Sequence, residues 1–138
     1  MAGIAAALAA GGATALATLG GLTGTTTETF RFSRGTALAT GEDARLRGVL
    51  ADVLADARIA VTIVGHSGTQ GDAAANLALS VERAEAVAAI AREMGVAAAR
   101  LTVTGVGGGD PLPRTDGQSD RAFEAALARV DVALQVRR

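Results

Sequence analysis

Cysteine, lysine, tryptophan and tyrosine are all missing from this 138-residue chain, and histidine occurs once. Each absence removes a class of chemistry. Without cysteine there is no disulfide, no thiol nucleophile, no thiolate metal site and no lipidated N-terminal cysteine. A lone histidine, His66, excludes a metal centre built from several imidazoles. Aromatic residues make up 2% of the chain, so the stacking platforms that bind single-stranded nucleic acid are lacking. A net charge of -1 with interspersed signs leaves no electrostatic footprint for DNA or RNA. Nucleic acid is not an expected partner, and neither a cofactor nor a metal is expected.

What is there is small and aliphatic. Hydrophobic residues account for 49% of the chain, enough for one core, but it must be assembled from Ala, Val, Leu and Ile with modest buried area per side chain. Residues 1–24 form a block of their own, with no charged side chain and a predominance of Ala, Gly, Leu and Thr. Three readings compete for it. A signal or membrane anchor fits the length but lacks a basic start, and Gly11, Gly12, Gly20 and Gly21 dilute its apolar run. A small-residue helix packing closely against copies of itself or a membrane or envelope partner would use Gly20 and Gly24, which are in GxxxG spacing. The third reading is a plain lead-in. Residues 25–138 read as the folded domain.

Within it, 25–32 is a β-branched run with Phe30 and Phe32 on one face, a predicted strand. Thr40, Gly41, Glu42 and Asp43 resemble a helix start with a hydroxyl cap. Leu46, Val49, Leu50, Val53 and Leu54 then recur at helical spacing. Residues 59–64 read as a strand buried on both faces. Ser80 is the expected cap of a long second helix with Ala84, Val87, Ala91 and Met94 inward and Gly95 as its stop, while Asp72 caps a short turn before it. A third strand is expected over 101–104, a Gly- and Pro-rich loop over 105–118 and a short helix over 121–128. The last strand has Val130, Val132, Leu134 and Val136 on one face. The whole reads as α+β, with helices on one side of a mixed four-strand sheet.

Two apparent motifs fail on inspection. Gly65-His66-Ser67-Gly68-Thr69 after a strand suggests a nucleophile elbow, but Thr69 stands where that turn requires glycine, and no histidine follows His66. Gly105-Val106-Gly107-Gly108-Gly109-Asp110 suggests a dinucleotide loop, but Asp110 stands at the third glycine, with Pro111 and Pro113 where a helix would begin. Asp110, Asp116 and Asp120 fit no calcium-loop spacing. His66 reads as a packed or hydrogen-bonded residue. Arg83, placed in the first turn of a helix capped by Ser80, opposes the helix dipole. A guanidinium aimed at a carboxylate explains it better than a solvated side chain.

These residues also resemble a family. Phe30-Arg31-Phe32, Ile63-Val64-Gly65-His66-Ser67, Gly71, Asn76, Leu79-Ser80, Arg83-Ala84, Gly95-Val96, Arg100-Leu101, Gly105, Gly107 and Pro111 are similar to the OmpA-like C-terminal domain. That domain is shared by OmpA-type porins, peptidoglycan-associated lipoprotein and MotB, and the resemblance spans about 25–136. It implies a β-α-β-α-β-β, non-enzymatic module of the periplasm or cell envelope, possessing no catalytic residues and binding the peptidoglycan stem peptide. In the family an Asp after the Gly-His-Thr turn meets the ammonium of diaminopimelate, an Arg meets its carboxylate, and an Asn lines the site. The resemblance puts Arg83 and Asn76 in the last two roles, with backbone groups of the Ser67 to Gly71 loop assisting.

The Asp position is Gly68. Its loss removes a charge-assisted hydrogen bond of about 1.5–3 kcal/mol, or about one to two decades in affinity. The family's Asn-Arg-Arg-Val also departs here to Leu127-Ala128-Arg129-Val130. The expected ligand-binding set is therefore Ser67, Gly68, Gly71, Asn76 and Arg83, a degenerate site. The alternative keeps the fold as a structural subunit of an envelope or tail-like assembly, its site turned to protein–protein contacts.

Overall fold

In the computed structural model, which describes residues 24–137, the threonine-rich run becomes β1 (Gly24–Arg34), with Thr26, Glu28, Phe30 and Phe32 buried and the intervening residues exposed. The chain turns at Gly35 (φ +51°) into a two-residue strand, β2 (Ala37–Leu38). Then follow α1 (Glu42–Ala55), β3 (Ile59–Gly65), α2 (Ala73–Met94), a 3₁₀ turn (Ala98–Arg100), β4 (Leu101–Gly105), α3 (Asp120–Ala126) and β5 (Arg129–Val136). Residues 1–23, where nearly all of the expected lead-in falls, lie outside the described residues.

The sheet has five strands in the order β2-β1-β5-β3-β4, not the four expected. The extra one is β2, too short to leave a period-2 pattern, and it pairs antiparallel with β1 beyond a register shift at Phe32/Arg34. The expectation of a mixed sheet holds: β3 and β4 are parallel, and β5 runs antiparallel to both β1 and β3. The last strand in sequence thus lies between β1 and β3, which explains why its valines are so thoroughly buried.

Helices α1 and α2 cover one face. Leu46, Leu50 and Val53 of α1 and Ala84, Val87 and Ala91 of α2 pack with Phe30, Val61, Ile63, Val132 and Leu134 of the sheet. The other face is open, with Thr27, Thr29, Thr62, Thr102 and Thr104 exposed. Strand β3 is consequently buried on one face only, because Ala60 and Val64, which made its apolar run look continuous, are half-buried on the open side.

Two helix starts also differ from expectation. Gly41, in the left-handed region at φ 85°, precedes α1 and makes no side-chain cap, so Thr40 is not the capping residue. Asp72 caps the whole of α2, its carboxylate accepting from Ala75 N at 3.0 Å, and three alanines carry the helix on from there. Ser80 is an interior residue. Arg83 therefore sits in the third turn, where the dipole argument has little force. The stop at Gly95, with φ 110°, is as expected.

Helix α2 crosses the ends of β3 and β4 at contact distance. Gly65 and Gly105 are paired in register, and both lie under Ser80–Val81. A Cβ on Gly105 would come 2.5 Å from Val81 N, and one on Gly65 would overlap the Ser80 carbonyl. Gly65→Ala is expected to lower stability in urea denaturation by about 1–3 kcal/mol or more, as overpacking against backbone does. A loss below about 0.5 kcal/mol, the scale of ordinary surface changes, would show that the helix can lift away.

Candidate ligand site

Two loops meet over the first half of α2: 66–72, between β3 and α2, and 106–119, after β4. Backbone bonds join their roots, with Val106 N donating to Gly65 O at 3.1 Å and Ser67 N to Gly107 O at 3.0 Å. Ser80 ties the junction to the helix. Its Oγ donates to Leu77 O at 2.7 Å and accepts from Gly107 N at 2.8 Å. Between the loops is a cleft of about 360 Å³ lined by Thr69, Gly71, Ala73, Asn76, Leu77 and 106–109.

Of the five expected residues, Gly71 and Asn76 line this cleft, whereas Ser67, Gly68 and Arg83 do not. Gly71, at φ 88°, turns the loop toward the helix. Asn76 Nδ2 donates to Gln70 O at 2.8 Å and so holds the loop's crest. Ser67 is buried, and its hydroxyl donates to Gly68 O at 3.2 Å.

Arg83 is 5% exposed and lies under the root of the loop. Its Nε donates to Gly35 O at 2.7 Å and its Nη1 to His66 O at 3.1 Å, with the guanidinium carbon 5.6 Å from the Phe32 ring centre. All three partners are neutral. Burial pushes the guanidinium below the usual arginine value, and no carboxylate counters this among the described residues. Arginine nevertheless stays protonated in such surroundings. The remaining nitrogen, Nη2, has no hydrogen-bond partner among the described residues.

Sequence reasoning missed Glu124. This residue of α3 reaches across to the loop: Oε1 accepts from Thr69 N at 2.8 Å and Gln70 N at 3.3 Å, and Oε2 accepts from Thr69 Oγ1 at 2.7 Å. A Cβ on Gly68 would lie 2.5 Å from Glu124 Oε1. The Thr69 hydroxyl, followed by the loop amides, holds the Glu124 carboxyl below its ordinary range, so it is ionised at neutral pH. Nothing in the linear pattern pairs positions separated by 55 residues.

His66 faces the other way, toward the open side of the sheet. It is 2% exposed, with Nε2 2.9 Å from Asp131 Oδ2. Asp131 Oδ1 accepts from Thr29 Oγ1 at 2.7 Å, and Arg129 Nε lies 4.0 Å away. Burial pushes the Asp131 carboxyl up, but the bonds from His66 and Thr29 and the nearby Arg129 outweigh it, and the net shift is downward. An ionised Asp131 only accepts, so His66 Nε2 carries the proton and donates. The histidine anchors the loop's root.

A model of the OmpA family matches residues 31–125, more than half of the chain. The chain belongs to the OmpA family. Among curated relatives, the outer-membrane lipoprotein YfiB of Pseudomonas aeruginosa is 39% identical over 68 residues, 49% of this chain and 40% of that protein. The OmpA-family chain thus spans well under half the length of that relative. Among solved structures, the peptidoglycan-associated lipoprotein of Burkholderia pseudomallei superposes with a TM-score of 0.65 at 23% identity, covering 79% of this chain and 89% of that one. A putative MotB-like protein of Desulfovibrio vulgaris gives 0.64 at 28% identity, with 83% and 75% covered. The cell wall anchor of the type VI secretion system of Pseudomonas aeruginosa gives 0.65 at 20% identity, with 82% of each covered.

The Asp131 cluster makes a prediction for the domain's acid response. Because the folded-state value of Asp131 lies below the unfolded 3.8, its contribution is complete above that pH and disappears as pH falls through the folded value. Asp131→Asn is expected to cost about 1–3 kcal/mol at pH 7. The gap from wild type should close in urea titrations carried below about pH 4. A gap independent of pH would mean that the carboxylate's charge is immaterial there.

Proposed function

We propose that this domain is a non-catalytic cell-envelope module that grips the peptidoglycan stem peptide, with Arg83 taking a carboxylate of the peptide at the root of the 66–72 loop. The observation that carries the reading is the state of Arg83. A buried cation facing only carbonyls and a ring is incompletely compensated, since burying a charge is costly unless a counter-charge joins it. An incoming carboxylate supplies that counter-charge at Nη2. Two backbone carbonyls hold the guanidinium plane in advance, which limits the entropy lost on binding.

Family membership and the relatives support the envelope setting. Those relatives are an outer-membrane lipoprotein, a peptidoglycan-associated lipoprotein and a cell wall anchor. A periplasmic location follows from this reading. Among the described residues no helix is long and apolar enough to cross a membrane. The uncharged small-residue composition of residues 1–24 is what supports contacts with membrane or envelope proteins there. The cleft beside Asn76 and Gly71 then receives the portion of the peptide beyond the carboxylate.

Co-sedimentation with purified sacculi tests this. Wild type is expected to pellet, Arg83→Lys to lose about 10-fold or more in affinity through loss of the fork geometry, and free diaminopimelate to compete. Circular dichroism would verify that the lysine variant is folded. Undiminished pelleting of that folded variant rejects Arg83 as the carboxylate clamp, and no pelleting of wild type rejects wall binding.

A further inference from the structure

We propose that Glu124 is the acid of this site, placed from α3 into the space that a side chain on residue 68 would fill, where it meets the ammonium of a ligand whose carboxylate goes to Arg83. The assignment rests on the wall-binding reading above. It begins from a steric fact: the Glu124 carboxylate oxygen stands 2.5 Å from where a residue-68 Cβ would be. A glycine at this point is what admits the carboxylate, so the apparent loss of an acid from the loop is accompanied by the arrival of one from a distant helix.

The carboxylate is oriented but not saturated. Its Oε1 takes two amide hydrogens and its Oε2 one hydroxyl hydrogen, whereas a carboxylate offers about four acceptor positions. No ion pair engages Glu124 among the described residues; the nearby Arg114 attracts it, but that guanidinium is bonded to Asp120 at 2.8 Å. Arg83 also has no acid partner among the described residues, and its Nη2 makes no hydrogen bond to them. The 66–69 turn therefore carries an oriented cation at one end, on His66 O, and an oriented anion at the other, on Thr69 N. A ligand that bears both a carboxylate and an ammonium has a counter-charge at each of these two ends.

The rival account is that Glu124 merely latches the loop, and isosteric substitution separates the two. Glu124→Gln keeps an oxygen for the Thr69 and Gln70 amides and offers an NH₂ to the Thr69 hydroxyl, so the latch persists while the charge goes. In sacculus co-sedimentation, Glu124→Gln is expected to weaken retention by about 10- to 100-fold with little change in melting temperature. Gly68→Asp alone should also weaken it, because the new side chain meets Glu124 at overlapping distance and with like charge. Combining Gly68→Asp with Glu124→Ala should recover most of the retention, since the overlap is removed and one acid again occupies that space. If wild type is retained, Arg83→Lys is not, and Glu124→Gln is unchanged, the assignment is overturned while the Arg83 reading stands. If Glu124→Gln loses retention but Gly68→Asp with Glu124→Ala recovers none, an acid in that space is not what retention requires and the assignment fails. If wild type is not retained, both readings fail together.

Discussion

The backbone of α2 rests directly on two paired glycines, Gly65 and Gly105, at the ends of β3 and β4. Most of the site follows from that contact. Because no side chains intervene, Ser80 comes near enough to the loop after β4 for its hydroxyl to receive Gly107 N. Arg83, three residues further along, is carried under the His66 carbonyl. Both loops leave the sheet at the same level and converge over the same stretch of helix. A larger side chain at either glycine would have to push the helix outward, and the hydrogen bonds that shape the cleft would lengthen with it.

The 66–72 loop is held at several points by chemically different means. Its root is anchored on the open face of the sheet through His66 and Asp131, its crest by Asn76, and its middle by Glu124. Loops with this many attachments lose little entropy when a ligand arrives, which is how a binding segment off the regular elements can still be pre-organised. The charges are arranged with equal economy. Arg83 is held by neutral carbonyls, with no acid partner among the described residues.

Much of the architecture could be read from residue patterns. The valines of β5 alternate cleanly because the strand packs one face onto the helices, and Gly95 ends α2 because only a left-handed residue fits there. Reading failed where the signal was short or where two principles competed. Strand β2 has two residues and no periodicity to detect. Ser80 has the chemistry of a cap, but Asp72 and the alanines after it start the helix earlier, and the serine serves a bond across to Gly107 instead. The half-buried alanine and valine of β3 imitated a strand covered on both sides.

The candidate site divides along the same line. The turn Gly65-His66-Ser67, Asn76 and Arg83 stand out as a linear motif, because each is tied to its place by local backbone geometry or by helical spacing within one βα unit. Amino-acid order by itself thus determined the family and the α+β character. It showed a glycine at position 68. Only the tertiary structure decided what stands beside it: Glu124 comes from a helix far along the chain and reaches the loop because β5 inserts between β1 and β3, drawing the short helix before it against the loop after β3. Contacts of that kind depend on strand order, and strand order is a property of the packed sheet rather than of any stretch of residues.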